Sequence, residues 1–176
     1  MNFISERNKT LHTEELIRMK HRRAIFEKSY GARFKTAEDV NMARIPRRER
    51  DELFNLVMDI AYHEVYFSSF GNSGTVCGAV REQFGSEASF LYSLYECAMH
   101  SDGGFLLIFN DRGKIEFSAG RDVSRAQTNK IPCLTVDLEE HAYFYDYFFE
   151  RDRYLSAALS SLNLLKIENT VEKKEK

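Results

Sequence analysis

The apolar residues change their spacing in mid-chain and change it back, and that pattern limits the fold more than any other feature. Up to His100 they recur at helical intervals; after Asp102-Gly103-Gly104 they gather into runs of strand length. Phe105 to Phe109 reads as a buried strand and Asn110-Asp111-Arg112-Gly113 as a hairpin turn. Lys114 to Ser118 alternates as a second strand, and Pro132 to Asp137 reads as a third. From Glu139 to about Ile167 the spacing is helical again, and the charged tail Glu168 to Lys176 is expected to fray. Helices, a small sheet and then more helices make an α+β chain with segregated elements.

The helical part divides in turn. A first helix is expected to begin near His12-Thr13-Glu14-Glu15, with Thr13 as a cap, and to run to about Tyr30 or Phe34. Its apolar stripe is Leu16, Met19, Phe26 and Tyr30, and Gly31 suits its end. Residues 35–45 read as a connector. Pro46 suits the first turn of a second helix that is apolar on two faces, as in an element sandwiched between layers. One stripe is Phe54, Val57, Met58, Ala61 and Val65; the other is Leu53, Leu56, Ile60, His63 and Phe67. His63 thus stands where Leu or Ile is expected. Gly71-Asn72-Ser73-Gly74 reads as a hinge, which divides the chain into residues 1–72 and 73–176. Val76 to His100 reads as helix interrupted at Phe84-Gly85-Ser86.

Composition excludes several classes. With 43% hydrophobic and 30% charged residues in 176, disorder and low-complexity chains are out. The 25 basic and 27 acidic residues nearly cancel, so nothing draws the whole chain to nucleic acid or an anionic membrane. The basic stretches Lys20–Arg23 and Arg44–Arg50 read as solvated helix ends. No apolar run approaches the ~18–20 residues of a membrane span. The N-terminus carries acids early and has no apolar signal core, and Cys77, Cys97 and Cys133 are odd in number without a CxxC spacing. The expected location is the cytoplasm, with reduced thiols.

Asp137 ends an apolar strand, where a carboxylate is costly unless paired or metal-bound. His141 follows four residues later in the first turn of the next helix, so the two side chains can converge, and His63 is a buried histidine from an earlier helix. Two imidazoles and a carboxylate suit a redox-active first-row metal with open positions. Taken alone, the three residues are more readily read as satisfied core polar groups than as ligands.

The surrounding motif bears on that choice. Asp137-Leu-Glu-Glu-His-Ala-Tyr-Phe-Tyr-Asp-Tyr147, then Arg151 and Tyr154-Leu155, resembles the signature of iron/manganese superoxide dismutases, Asp-x-Trp-Glu-His-Ala-Tyr-Tyr, then Asp-Tyr, Arg and Tyr-Leu. Phe54-Asn55 through Tyr62-His63 and Phe67, Phe84-Gly85-Ser86, and Gly103-Gly104-Phe105 are similar to further segments of that family, so the resemblance covers residues 50–165. It implies an N-terminal helical hairpin, then a C-terminal domain built on a three-stranded antiparallel sheet. An Fe or Mn ion would lie between them, held by His63, Asp137, His141 and a first-helix histidine, and would dismutate superoxide. Glu140 would reach the partner's His141 in a homodimer, and Arg151 would shape a positive access route for the anion.

The chain also departs from that pattern. The family's first-helix ligand is followed by a second His four residues on and a Tyr eight on. His21 is taken as the nearest candidate, although Ile25 and Ser29 hold those two positions and His21 lies off the apolar stripe. Met19 would be a poor ligand for a hard +3 ion. There is no tryptophan: Glu139 stands at the motif Trp, and Phe144 replaces the second Tyr. The family's outer-sphere Gln comes from one of two places, here Asp59 or the stretch Gly120-Arg121-Asp122, so Asp59 is the candidate for contact with bound solvent. Three readings follow: a divergent dismutase, a catalytically inactive relative that keeps the fold to bind partners, and peroxide chemistry with Glu139 as an added ligand.

Overall fold

The computed structural model describes residues 3–71, 78–121 and 130–172. The hinge expected at residues 71–74, the division between 72 and 73, Cys77, Asp122 and the last residues of the tail fall wholly or partly outside that range.

Helix α1 spans Glu6–Tyr30, beginning six residues before the expected start. Ser5 is its cap: the hydroxyl accepts from the Asn8 N–H, and Glu6 adds a negative charge to the positive helix end. The early start extends the apolar stripe backward, so Asn8, His12, Leu16 and Met19 form one buried row. Gly31, at φ +62°, closes the helix as expected. The 35–45 connector holds a short helix, α2 (Ala37–Met42), started by a reciprocal capping box between Thr36 and Asp39. Helix α3 (Arg47–Ser68) starts directly after Pro46 and buries residues on both faces, from Leu53 and Phe54 to His63 and Tyr66.

Next come α4 (Gly78–Phe84) and α5 (Glu87–Met99), separated at Gly85-Ser86, where Ser86 caps α5 by accepting from the Ser89 N–H. Strands β1 (Phe105–Asp111), β2 (Lys114–Gly120) and β3 (Leu134–Asp137) form an antiparallel sheet ordered β2-β1-β3. Arg112 and Gly113, both at positive φ, make the two-residue turn between β1 and β2. Helices α6 (Glu140–Tyr147), α7 (Arg151–Ser160) and α8 (Leu165–Glu172) follow. The backbone therefore stays helical into the tail, to Glu172.

The central strand β1 divides the core by its alternation. Leu106 and Ile108 join Phe90, Leu94, Tyr154 and Leu155 of α5 and α7. Phe105, Leu107 and Phe109 face the other way, onto α1, α2 and α3. Asp137 ends β3 opposite Phe105. That register delivers its carboxylate to the junction where α1, α3 and α6 meet the sheet.

One polar tie locks α1 to α6. The buried Asn8 donates from Nδ2 to the Ala142 carbonyl at 2.9 Å and to Asp146 Oδ2 at 3.2 Å, and that same oxygen accepts the Ser5 N–H at 2.8 Å. Asn8→Ala removes both of the Asn8 side-chain bonds and is expected to cost about 1–3 kcal/mol. Urea unfolding of the two proteins checks this. An unchanged midpoint would show that the tie carries no stability.

Candidate metal centre

Four donor side chains come together at that junction. His12, His63, Asp137 and His141 each offer one ligand atom, and those atoms all lie within 4.8 Å of one another. Asp137 Oδ2 is the hub: His12 Nε2 lies 3.0 Å from it, His141 Nε2 3.1 Å and His63 Nε2 3.4 Å. Asp137 and His12 are wholly buried and His63 nearly so, whereas the His141 side chain is 43% exposed and marks the open side.

Each donor is oriented by its own element. The His63 Nδ1–H donates to the Asp59 carbonyl at 2.8 Å, which turns Nε2 toward Asp137. Asp137 Oδ1 accepts the Glu139 N–H at 2.9 Å, and its carbonyl accepts the Tyr154 hydroxyl at 2.7 Å. His12 is walled by Tyr66 and Phe67, with ring centroids 4.7 and 5.5 Å away, and by the edge of His141. Phe105 stands edge-on to His63 at 5.0 Å.

The electrostatics follow from one buried anion among three imidazoles. Burial works to raise the Asp137 pKa, and the three histidines override it and hold the carboxyl well below its usual range. Burial lowers His12, with Asp137 only partly offsetting it. At His63 and His141 burial also works downward, but the Asp137 carboxylate outweighs it and both are raised. Burial pushes Asp59 up to about 6, with the charges of Asp137 and Glu139 adding to it and His63 opposing.

The donor set fits a metal ion. His63 carries its proton on Nδ1, so its neutral form points the Nε2 lone pair at an anionic oxygen, and that buried nitrogen has no hydrogen-bond partner. A buried imidazole lone pair turned toward a carboxylate is relieved by a cation placed between them. Three imidazoles and one carboxylate suit iron or manganese and leave room for a solvent ligand.

The structure brings three of the sequence candidates, His63, Asp137 and His141, into this cluster and places the fourth, His21, away from it. His21 lies on the exposed face of α1, and His12 stands in the cluster instead. Nine residues separate them, two and a half helical turns, so they project to opposite sides. The missed signal was the stripe itself: extended back one turn from Leu16, it reaches His12. Four and eight residues beyond His12 stand Leu16 and Lys20, and the Lys20 ammonium pairs with Glu64 at 2.7 Å. Asp59 sits one turn before His63 and orients it through its carbonyl. The Arg151 guanidinium is engaged elsewhere than at the donors: it donates to the Ser101 carbonyl, the Ala98 carbonyl and Ser101 Oγ, closing the end of α5. Glu139 is likewise outside the donor group, because its carboxylate binds Arg121 and the Gly104 N–H.

Comparison with known proteins identifies the family. A family profile described as "Iron/manganese superoxide dismutases, C-terminal domain" matches residues 72–170, more than half of the chain. The chain belongs to the iron/manganese superoxide dismutase family. It is 27% identical over 140 residues to an iron superoxide dismutase of Campylobacter jejuni, a match covering 70% of this chain and 64% of that protein. It is 26% identical over 159 residues to the iron superoxide dismutase of Cupriavidus metallidurans, covering 78% and 80%. With that of Escherichia coli K12 it shares 29% over 127 residues, covering 67% and 66%. The chain thus spans somewhat under two thirds of the Campylobacter relative. Among the described residues, no helix is long and apolar enough to cross a membrane.

Proposed function

We propose that this protein holds one Fe or Mn ion between His12, His63, Asp137 and His141 and removes superoxide. The observation that carries the reading is the convergence of four donors from α1, α3, β3 and α6 on one buried point. The ion, cycling between +3 and +2, would take an electron from one superoxide to give O₂ and pass it to a second, which with two protons becomes H₂O₂. The chain supplies the rest. Tyr66, Phe67 and Phe105 fix the imidazole planes and exclude water. Asp59 is a half-buried group able to hold or release a proton near neutral pH.

The proposal extends to a homodimer across the open side. Glu140 and His141 are exposed at the start of α6, and Phe144, Tyr145, Phe148 and Phe149 continue an exposed aromatic surface along it. Glu140 reaching the partner's His141 would cover that ligand. Cytoplasmic location rests on the odd number of cysteines and the lack of a CxxC spacing.

The test is superoxide removal by untagged protein loaded with Fe or with Mn, beside the metal-free protein and His12→Ala. Metal-dependent removal that is lost in His12→Ala supports the reading. Metal-loaded, folded protein no faster than buffer overturns it and leaves an inactive relative that keeps the fold for binding.

A further inference from the structure

Glu139 meets the donor cluster with its backbone and turns its side chain away. Its N–H donates to Asp137 Oδ1 at 2.9 Å, yet its carboxylate is directed elsewhere: Oε1 accepts the Gly104 N–H and the Arg121 Nε–H, both at 2.9 Å, and Oε2 accepts Arg121 Nη2 at 3.0 Å. This is a two-bond fork on a carboxylate, the geometry in which Arg outperforms Lys. Arg121 is fixed in turn by its N–H to Asp102 Oδ1 at 3.2 Å. The turn before β1 is cut away to admit the pair. A Cβ on Gly103 would lie 3.1 Å from Arg121 Nε and 3.2 Å from Glu139 Oε1.

We infer that Arg121 is a positioning residue for the metal centre, acting through Glu139: its guanidinium occupies the Glu139 carboxylate and so keeps a further protein oxygen out of the coordination sphere. The inference rests on the metal-binding reading above. Its physical basis is competition. Glu139 lies two residues from Asp137, and hard cations take carboxylate oxygens readily, so an unoccupied carboxylate here competes for a position that solvent or substrate needs. The Arg121 fork and the Gly104 N–H together occupy both of its oxygens. The pair contributes little to folding, because Arg121 is largely exposed and such ion pairs contribute about 0–1 kcal/mol. Its substitution therefore leaves a folded protein to examine.

The experiment is titration of metal-free protein with Co²⁺, reading affinity and the visible d–d bands, whose intensity falls as coordination number rises. Wild type, Arg121→Met, Arg121→Lys and the double variant Arg121→Met/Glu139→Gln are compared, with thermal midpoints as folding controls. Arg121→Met is expected to bind Co²⁺ about tenfold more tightly with weaker bands. Arg121→Lys, which keeps the charge without the fork, is expected to fall between it and wild type. The double variant, with no carboxylate to release, is expected to return to the wild-type spectrum and affinity. Arg121→Met indistinguishable from wild type overturns the inference, as does a double variant that keeps the Arg121→Met behaviour. A wild type that takes up no Co²⁺ refutes the metal-binding reading itself, a separate result.

Discussion

His12→Ala is expected to abolish metal binding, while His21→Ala leaves it unchanged. His12 is wholly buried, with Nε2 3.0 Å from the Asp137 oxygen that the other two imidazoles share. Loss of groups that only orient a ligand weakens metal binding about 10–100-fold, so loss of a ligand should exceed 100-fold. His12→Gln keeps a polar side chain and still loses the imidazole donor, so it separates ligation from packing. His21 is exposed on the opposite side of α1, and its removal should change stability by no more than about 0.5 kcal/mol. Metal content after dialysis against a weak chelator reads both variants. A His12→Ala protein that keeps its metal would remove α1 from the site.

Gly104→Ala should be among the most damaging single substitutions in the chain. Gly104 sits at φ +71°, and a Cβ there would lie 2.3 Å from the Gly120 carbonyl oxygen and 2.7 Å from the Arg121 Cα. Those atoms are backbone, at the end of β2 where Gly120 pairs with Phe105, so no side chain can swing aside. The same residue accepts the Leu138 N–H at 2.8 Å and donates to Glu139 at 2.9 Å, which ties the β1 turn to the β3–α6 junction. A cost of about 3–5 kcal/mol is expected, or a thermal midpoint lowered by roughly 6–20 °C. Gly113→Ala is the control. It also has positive φ (+90°) but nothing within 4 Å of its Cβ, so it should lose only about 1–2 kcal/mol. Equal losses in the two variants would mean that the close approach at Gly104 contributes nothing.

The parts of the fold that were legible in the sequence are those written in periodicity and turn chemistry. The two-faced stripe of α3, the break at Gly85-Ser86 and the hairpin at Arg112-Gly113 each follow from local rules. Asp137 and His141 were legible because a strand end and the first turn of the next helix bring them together locally. The first-helix donor was hidden by the start of α1. Thr13 looked like a cap, but Ser5 caps, and Asn8 anchors the added turn to Ala142 and Asp146 more than 130 residues away. No local pattern announces such a contact. The role of Glu139 was hidden for the same reason. Next to Asp137 in sequence it looks like an added ligand, and only the fold shows that Arg121 and Gly104 claim it.

Elemental analysis of untagged protein, purified without added metal, tests the central claim most directly. One Fe or Mn per chain, lost on His12→Ala, is the predicted result. Folded protein with no bound metal, which also takes up none on reconstitution, would contradict it.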